Sequence, residues 1–135
     1  AKQAADLHSN FLCQKILAAY LETHDLDAHV RRIARAYGEN CRLMCEILDD
    51  DFPPGLSHTE PEGGMFLMVS LPPGLDSHRL FEEGLRKGVA VLPGTPFYAC
   101  GGGESTVRLN FSCREAEQIK DGMERLSGVV RALLP

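Results

Sequence analysis

The segment Thr106–Ser112 constrains the fold of this chain more than any other segment, because it predicts a β-strand with two chemically different faces. Its apolar residues recur at every second position: Val107, Leu109 and Phe111. Arg108 and Asn110 then point to the opposite face. An arginine in such a strand is costly to desolvate unless an anion meets it, and its planar guanidinium can hold a carboxylate through two parallel hydrogen bonds. Arg108 is therefore either an arginine saturated by water or a nearby Glu, or an anion-binding residue.

The composition is that of an ordinary soluble protein, with 44% hydrophobic and 24% charged residues in a chain of 135. This length fits one domain with its own hydrophobic core. The formal net charge of −5, without a basic run, argues against a nucleic-acid partner. The apolar runs are too short to cross a bilayer and no signal peptide opens the chain, so we expect a cytoplasmic protein without a membrane partner.

The five cysteines are an odd number and do not predict a disulfide framework. Cys41 and Cys45 lie four residues apart on one predicted helix face, which could hold a metal. No second Cys or His pair follows at the spacing of a zinc site. We therefore expect core thiols in a reducing compartment and no metal site.

Periodic apolar residues and end signals predict four helices, which span residues 3–23, 26–48, 77–87 and the stretch after a capping box at 112–115. Short strands are predicted at 57–60, 65–71 and 89–92 in addition to the strand around Arg108. This order of elements predicts an α+β fold, in which a small, mainly antiparallel sheet packs against helices and a long helix precedes it.

Three segments form a series that resembles a known family: 61–66 (Pro-Glu-Gly-Gly-Met-Phe), 88–97 (Gly-Val-Ala-Val-Leu-Pro-Gly-Thr-Pro-Phe) and 107–112 (Val-Arg-Leu-Asn-Phe-Ser). The series resembles the C-terminal part of fold-type I, pyridoxal-phosphate-dependent aminotransferases of class I/II. The likeness is greatest to the 2-aminoadipate, kynurenine and multi-substrate branch, and residues 2–9 and Gln14 are similar to that branch as well.

The resemblance implies an architecture for the chain and for a longer parent protein. Residues 1–24 would be a leading helix from the large domain, and residues 25–135 the C-terminal small domain. Because the chain starts inside a predicted helix without an initiator Met, we expect a fragment of a longer protein. The resemblance implies that this protein is a cytoplasmic homodimer that transfers an amino group to a 2-oxo acid.

The resemblance also implies roles for individual residues. The arginine of the family's Arg-Leu-Asn-Phe strand binds the α-carboxylate of the amino-acid substrate, and it corresponds to Arg108. Gly63 and Gly64 resemble a segment near the substrate entrance, and Phe97 a loop beside the active site. None of these residues is expected to be catalytic.

The chain departs from the family where the cofactor would bind. Such enzymes need a lysine that holds pyridoxal phosphate, a carboxylate on its ring nitrogen and a phosphate cup. The family's lysine motif is absent, because all four lysines fall on predicted helices and none fits it: Lys2, Lys15, Lys87 and Lys120. We therefore expect no catalytic residue and no bound pyridoxal phosphate in this chain, and no transaminase activity without its large domain and a second subunit.

Two other functions stay open at this point. Some transcription regulators of the MocR type carry an aminotransferase-like effector domain after a DNA-binding domain, and this chain could belong to one of them. It could also be a stand-alone small-molecule-binding or interaction domain that kept the fold and lost the chemistry.

Overall fold

The computed structural model describes Ala4 and residues 10–134 of the chain. The chain divides into two compact units, Ala1–Ala34 and Arg35–Pro135. Within residues 10–134 it forms four α-helices, one 3-10 turn and four β-strands, so the predicted α+β fold is confirmed. No helix in this described part is both long and apolar enough to cross a membrane.

Helix α1 (Phe11–Thr23) lies in the first unit and begins at an asparagine cap. The backbone of Asn10 has left the helical region, with ψ 113°, and its side-chain oxygen accepts a hydrogen bond of 3.1 Å from the Cys13 N–H. A single unbroken helix over 3–23 is therefore wrong at Asn10. Ala4 is helical, and the rest of the predicted stretch before Asn10 lies outside the described residues.

Helix α2 (Leu26–Asp51) begins as predicted and runs slightly further. The Asp25 carboxylate accepts a hydrogen bond of 2.9 Å from the Ala28 N–H, as expected of a helix cap. Cys41 and Cys45 lie half-buried against the core, in agreement with their prediction as core thiols. Burial, together with the neighbouring Cys41, raises the pKa of Cys45 to about 11, so this thiol stays protonated.

The second unit contains a four-stranded antiparallel sheet in the order β1-β2-β4-β3, formed by β1 (Ser57–His58), β2 (Phe66–Ser70), β3 (Leu92–Pro93) and β4 (Thr106–Asn110). Strand β4 lies between β2 and β3, so Arg108 is flanked on both sides. Its Cα is paired with that of Met68 on β2 and with that of Leu92 on β3. The predicted strand of residue 108 is thus confirmed and lies inside the sheet.

One face of the sheet is buried and the other is not, as the alternation in β4 predicted. The buried face carries Leu67, Val69, Val107 and Leu109. These side chains share the core with residues of α2, α3 (Ser77–Arg86) and α4 (Ala116–Leu133), such as Met44, Leu80 and Met123. Arg108 therefore points away from the helices that cover the core.

Strand β3 and the end of α3 differ from prediction. Residues 89–92 were expected to form a buried strand, but only Leu92 and Pro93 pair with β4, and Leu92 is 41% exposed. The N–H of Val89 donates to the Gly84 carbonyl at 2.9 Å, which keeps it at the end of α3. Leu85 was expected to face inward with Leu80 and Phe81, and it is 50% exposed. Apolar character alone did not distinguish these positions from core positions.

The capping box of α4 lies three residues later than predicted. Glu115 caps the helix, and its N–H donates to the Gln118 side-chain oxygen at 3.4 Å. Ser112 belongs instead to a turn, because the Asn110 side-chain oxygen accepts hydrogen bonds from the Ser112 and Cys113 N–H groups at 2.9 and 3.1 Å. The prediction of Ser112 as the cap was wrong because Asn110 holds residues 112 and 113 in this turn, and the helix begins only after Glu115.

Edge strand β1 is tied to α2 by a histidine whose charge state depends on pH. The buried His58 ring contacts the Asp49 carboxylate and the Thr59 carbonyl, each at 3.1 Å. Burial lowers its pKa, but the two hydrogen bonds and the charges of Asp49 and Glu60 outweigh burial and raise the pKa above 6.5.

The raised pKa predicts that the His58–Asp49 pair stabilises the fold most below pH 6.5 and that this contribution is lost as the pH rises through the folded-state pKa. Urea unfolding of the wild type and of His58→Gln should therefore differ more at about pH 6 than at about pH 8.5. Asp49→Asn should reduce the same pH dependence. An equal difference between wild type and variant at both pH values would contradict the assignment.

Candidate active site

The side chain of Arg108 is stacked between two phenylalanine rings on the open face of the sheet. Its guanidinium carbon lies 4.1 Å from the centroid of the Phe66 ring and 4.1 Å from that of the Phe97 ring. These distances are well within the range of cation–π attraction. We call this arrangement the Phe–Arg–Phe stack. It joins the start of β2, the middle of β4 and the 3-10 turn Thr95–Phe97.

Arg108 has an unused hydrogen-bond donor in the described part of the chain. Its Nε is buried and has no hydrogen-bond partner there. No carboxylate of residues 10–134 lies within 4.0 Å of its guanidinium. A buried charged donor without a partner is costly, and such groups in native proteins call for a partner or a functional reason. The arrangement supports an acceptor that comes from outside these residues.

The 3-10 turn holds Phe97 over Arg108 through short contacts with β4. The Gly94 N–H donates to the Thr106 carbonyl at 2.8 Å, and the Phe97 N–H donates to the Gly94 carbonyl at 2.9 Å. A hydrogen bond of 3.2 Å joins His78 Nε2 at the start of α3 to the Thr95 hydroxyl. Phe97 is thereby fixed from both the sheet and a helix, although 44% of its surface is exposed.

Gly94 and Gly103 allow this close approach. A Cβ at Gly94 would lie 1.8 Å from the Thr106 hydroxyl oxygen and 2.9 Å from the Thr106 carbonyl oxygen. Gly103 has φ +84°, a conformation that side chains rarely adopt, and a Cβ there would lie 2.4 Å from the Tyr98 ring. The turn and the loop after it therefore pack closely because Gly94, before the turn, and Gly103, in the loop, lack side chains.

The structure brings some of the predicted site residues together and leaves others apart. Phe97 contacts Arg108 directly. Gly63 and Gly64 lie in the exposed bend before β2, and Gly64 has φ +87°. They precede Phe66 in the chain, but a Cβ at either glycine would have no atom within 4 Å among the described residues. Phe66 belongs to the family motif at residues 61–66 but was not predicted as a site residue. Its alternation with the buried Leu67 is the signal that places it on the open face.

Comparison with solved structures defines the class of the fold. The crystal structure of the α-aminoadipate aminotransferase of Thermus thermophilus, complexed with N-(5'-phosphopyridoxyl)-L-leucine, matches 98% of this chain with a TM-score of 0.89 and 38% identity. The kynurenine aminotransferase of Pyrococcus horikoshii matches 99% with a TM-score of 0.88 and 36% identity. The fold is therefore that of an aminotransferase segment.

The sequence comparisons give the family. The family model described as aminotransferase class I and II matches residues 1–126, and the chain belongs to this family. A 2-aminoadipate transaminase of Thermus thermophilus is 39% identical over 99% of this chain. A weaker likeness, 27% identity over 93% of the chain, links it to the HTH-type transcriptional regulator NorG of Staphylococcus aureus. The resemblance predicted from the three sequence segments is confirmed.

The chain corresponds to only part of these relatives. It spans 34% of the length of the 2-aminoadipate transaminase and 33% of the solved kynurenine aminotransferase. The matched proteins are thus about three times as long as this chain. The homologous enzymes imply pyridoxal phosphate in a full-length protein, so the described residues can be tested for their fit to that cofactor.

The described lysines do not form a pyridoxal-phosphate site. Lys15 lies exposed on α1, and Lys87 lies exposed at the end of α3. Lys120 lies on α4 and pairs with Glu117 at 2.8 Å. Helices α3 and α4 contribute to the core on the side of the sheet opposite Arg108. Lys2 lies outside the described residues. Residues 10–134 alone therefore do not fit the cofactor.

Proposed function

We propose that this chain is the C-terminal small domain, residues 25–135, and the leading helix, residues 1–24, of an aminotransferase that transfers an amino group from an amino acid to a 2-oxo acid. The observation that carries the proposal is the Phe–Arg–Phe stack with its buried Nε, which has no hydrogen-bond partner among residues 10–134. Within the family to which the chain belongs, this arginine is suited to bind the α-carboxylate that amino donor and oxo-acid acceptor share.

Arg108 would act by binding and orienting the substrate. Its guanidinium can donate two parallel hydrogen bonds to a carboxylate, which fixes both the position and the rotation of the bound acid. Such fixation lowers the entropic part of the barrier to reaction. Gly63 and Gly64 would border the substrate entrance, since they lie in an exposed bend immediately before the strand that carries Phe66. None of these residues would move a proton.

The remaining two thirds of the protein would supply the rest of the active site. Pyridoxal phosphate, when bound, provides the electron sink and carries the amino group. Its lysine and phosphate cup would lie in the large domain, because the described lysines do not offer them. We propose a cytoplasmic homodimer for the full-length protein and expect the 135-residue chain alone to be inactive and without bound cofactor.

Activity measurements on two lengths of the protein test this proposal. The full-length gene product should convert an amino acid and 2-oxoglutarate to the corresponding oxo acid and glutamate, and borohydride reduction should leave a pyridoxyl–lysine adduct in its mass spectrum. The 135-residue chain should show neither. Turnover by the 135-residue chain would contradict the proposal that the large domain supplies the lysine and the phosphate cup. A full-length product without adduct or turnover would contradict the proposal that the protein is an aminotransferase.

A transcription regulator is the second candidate, favoured by the 27% identity with NorG over 93% of the chain. It requires a DNA-binding segment before the aminotransferase-like module, and the full-length product should then bind a DNA fragment from its own promoter region. The stand-alone binding domain requires instead a native gene product close to 14.8 kDa. The intact mass of the protein from its native cell separates this last possibility from the other two.

A further inference from the structure

We infer that Phe66 and Phe97 are positioning residues for Arg108, which hold its guanidinium so that it meets a carboxylate with one edge of its plane. This inference rests on the proposed function, since it specifies how the carboxylate site works. It assigns a role to Phe66 and a more specific one to Phe97. Both would act through the arginine, and neither would contact reacting atoms.

The symmetry of the stack is the first observation behind this inference. The guanidinium carbon is 4.1 Å from each ring centroid. Phe66 belongs to β2 on one side of β4 and Phe97 follows β3 on the other side, so we infer that the rings cover opposite faces of the charged plane. A guanidinium donates only within its plane. With both faces covered, a ligand can approach Arg108 only from the edge of that plane. The two rings thereby select an approach direction that a free surface arginine would not impose.

The buried Nε indicates which edge of the guanidinium a carboxylate would meet. Among the described residues, Nε is the one guanidinium nitrogen of Arg108 that is both buried and unpaired. This N–H and the neighbouring terminal N–H group lie on one edge of the guanidinium plane and can form two parallel hydrogen bonds with a carboxylate. A carboxylate bound at this edge would lie in the plane of the guanidinium and would give Nε the partner that it lacks among residues 10–134.

The two rings are held by separate elements, and together they restrict rotation of the Arg108 side chain. Phe66 begins β2 and is held by the ladder to β4, where its Cα is paired with that of Asn110. Phe97 ends the 3-10 turn that is fastened to Thr106 through Gly94. An arginine side chain has many rotamers, and holding one of them in advance lowers the entropic cost of binding. The stack would therefore strengthen carboxylate binding without a contact of its own to the substrate.

Kinetics of the full-length protein test this role. Phe66→Leu and Phe97→Leu should each raise KM about fivefold, an effect typical of losing one cation–π partner, and should change kcat little. The increase should be equal for the amino donor and for the 2-oxo acid, because both present the same α-carboxylate. Phe97→Tyr should behave as the wild type. Phe81→Leu, which removes a ring from α3 on the core side of the sheet, is the matched control and should leave both KM values unchanged.

A spectroscopic measurement on the 135-residue chain tests the stack without any substrate. In ¹⁵N spectra the Arg108 Nε–H signal should be shifted by the two rings and should exchange slowly with water, and either Phe→Leu variant should remove both properties. Unchanged signals in both variants would overturn the inference.

The variant Arg108→Gln distinguishes the proposed carboxylate role of Arg108 from the positioning role of the two phenylalanines. If Arg108→Gln raises both KM values and the Phe→Leu variants do not, the carboxylate role stands and the positioning role is wrong. If the Phe→Leu variants raise KM for one substrate only, the rings recognise a substrate side chain and the positioning role is again wrong. If Arg108→Gln changes neither KM, the proposed carboxylate role fails and the positioning role fails with it.

Discussion

Replacement of Arg108 by Gln in the full-length protein should lower kcat/KM by a factor of roughly thirty to a thousand, which corresponds to about 2–4 kcal/mol. Glutamine keeps a hydrogen-bond donor but removes the charge and the planar pair of N–H groups. The side chain beside the two phenylalanine rings would then offer the substrate carboxylate no compensating positive charge. Desolvating an anion without such a partner is the main source of the expected loss.

Two further variants make this result specific. Arg108→Lys should retain part of the activity, because a lysine supplies the charge but not the bidentate geometry. Arg79→Gln, a change of the same kind at an exposed position of α3, should leave kcat/KM within about twofold of the wild type, as most surface substitutions do. An Arg108→Gln protein as active as Arg79→Gln would contradict the carboxylate role.

Replacement of Gly94 by Ala should destabilise the second unit by about 2–3 kcal/mol, as overpacking of a tight contact does. The new methyl group would lie 1.8 Å from the Thr106 hydroxyl oxygen, 2.9 Å from the Thr106 carbonyl and 3.0 Å from the Gly103 carbonyl. The hydroxyl can rotate away, but the two carbonyls belong to the backbone. The turn would have to move away from β4, and it would carry Phe97 away from Arg108. Urea unfolding of the 135-residue chain measures the loss of stability.

Gly38→Ala is the matched control for this variant. Gly38 lies within α2, and a Cβ there would meet no atom within 4 Å among the described residues. The same substitution should stabilise the chain by about 0.5–1 kcal/mol, because alanine favours helix and restricts the unfolded state. If Gly94→Ala were as stable as the wild type, Gly94 would not hold the turn against β4.

The sequence predicted the sheet strand of Arg108 because its signal is local. Alternation of Val107, Leu109 and Phe111 determines which face each neighbour occupies, and a bidentate donor between them indicated an anion site. The interrupted helix at Asn10 and the shifted cap at Glu115 depend on which side-chain oxygen accepts a hydrogen bond from a free backbone N–H. Several residues compete for that role, so these two helix starts were predicted less accurately than the strand of Arg108.

The Phe–Arg–Phe stack could not be predicted in the same way. Phe66 and Phe97 are far apart in the chain, and they meet Arg108 because β2 pairs with β4 in one particular register and because Gly94 lets the turn approach Thr106. Neither condition leaves a periodic signal in the sequence. Phe97 was associated with the active site only through the family resemblance, and Gly63 and Gly64 keep the role near the entrance as a proposal.

Inhibitor binding to the full-length protein tests the role of Arg108 most directly. The dissociation constants of 3-phenylpropanoate and its primary amide, which differ in the carboxylate alone, would be measured for the wild type and for Arg108→Gln. This double-mutant cycle isolates the coupling between Arg108 and the carboxylate. If Arg108 binds the α-carboxylate, the wild type should prefer the acid to the amide by a factor of about thirty or more, and the variant should bind both equally. An acid preference that survives in Arg108→Gln would show that another group binds the carboxylate and would contradict the proposed site.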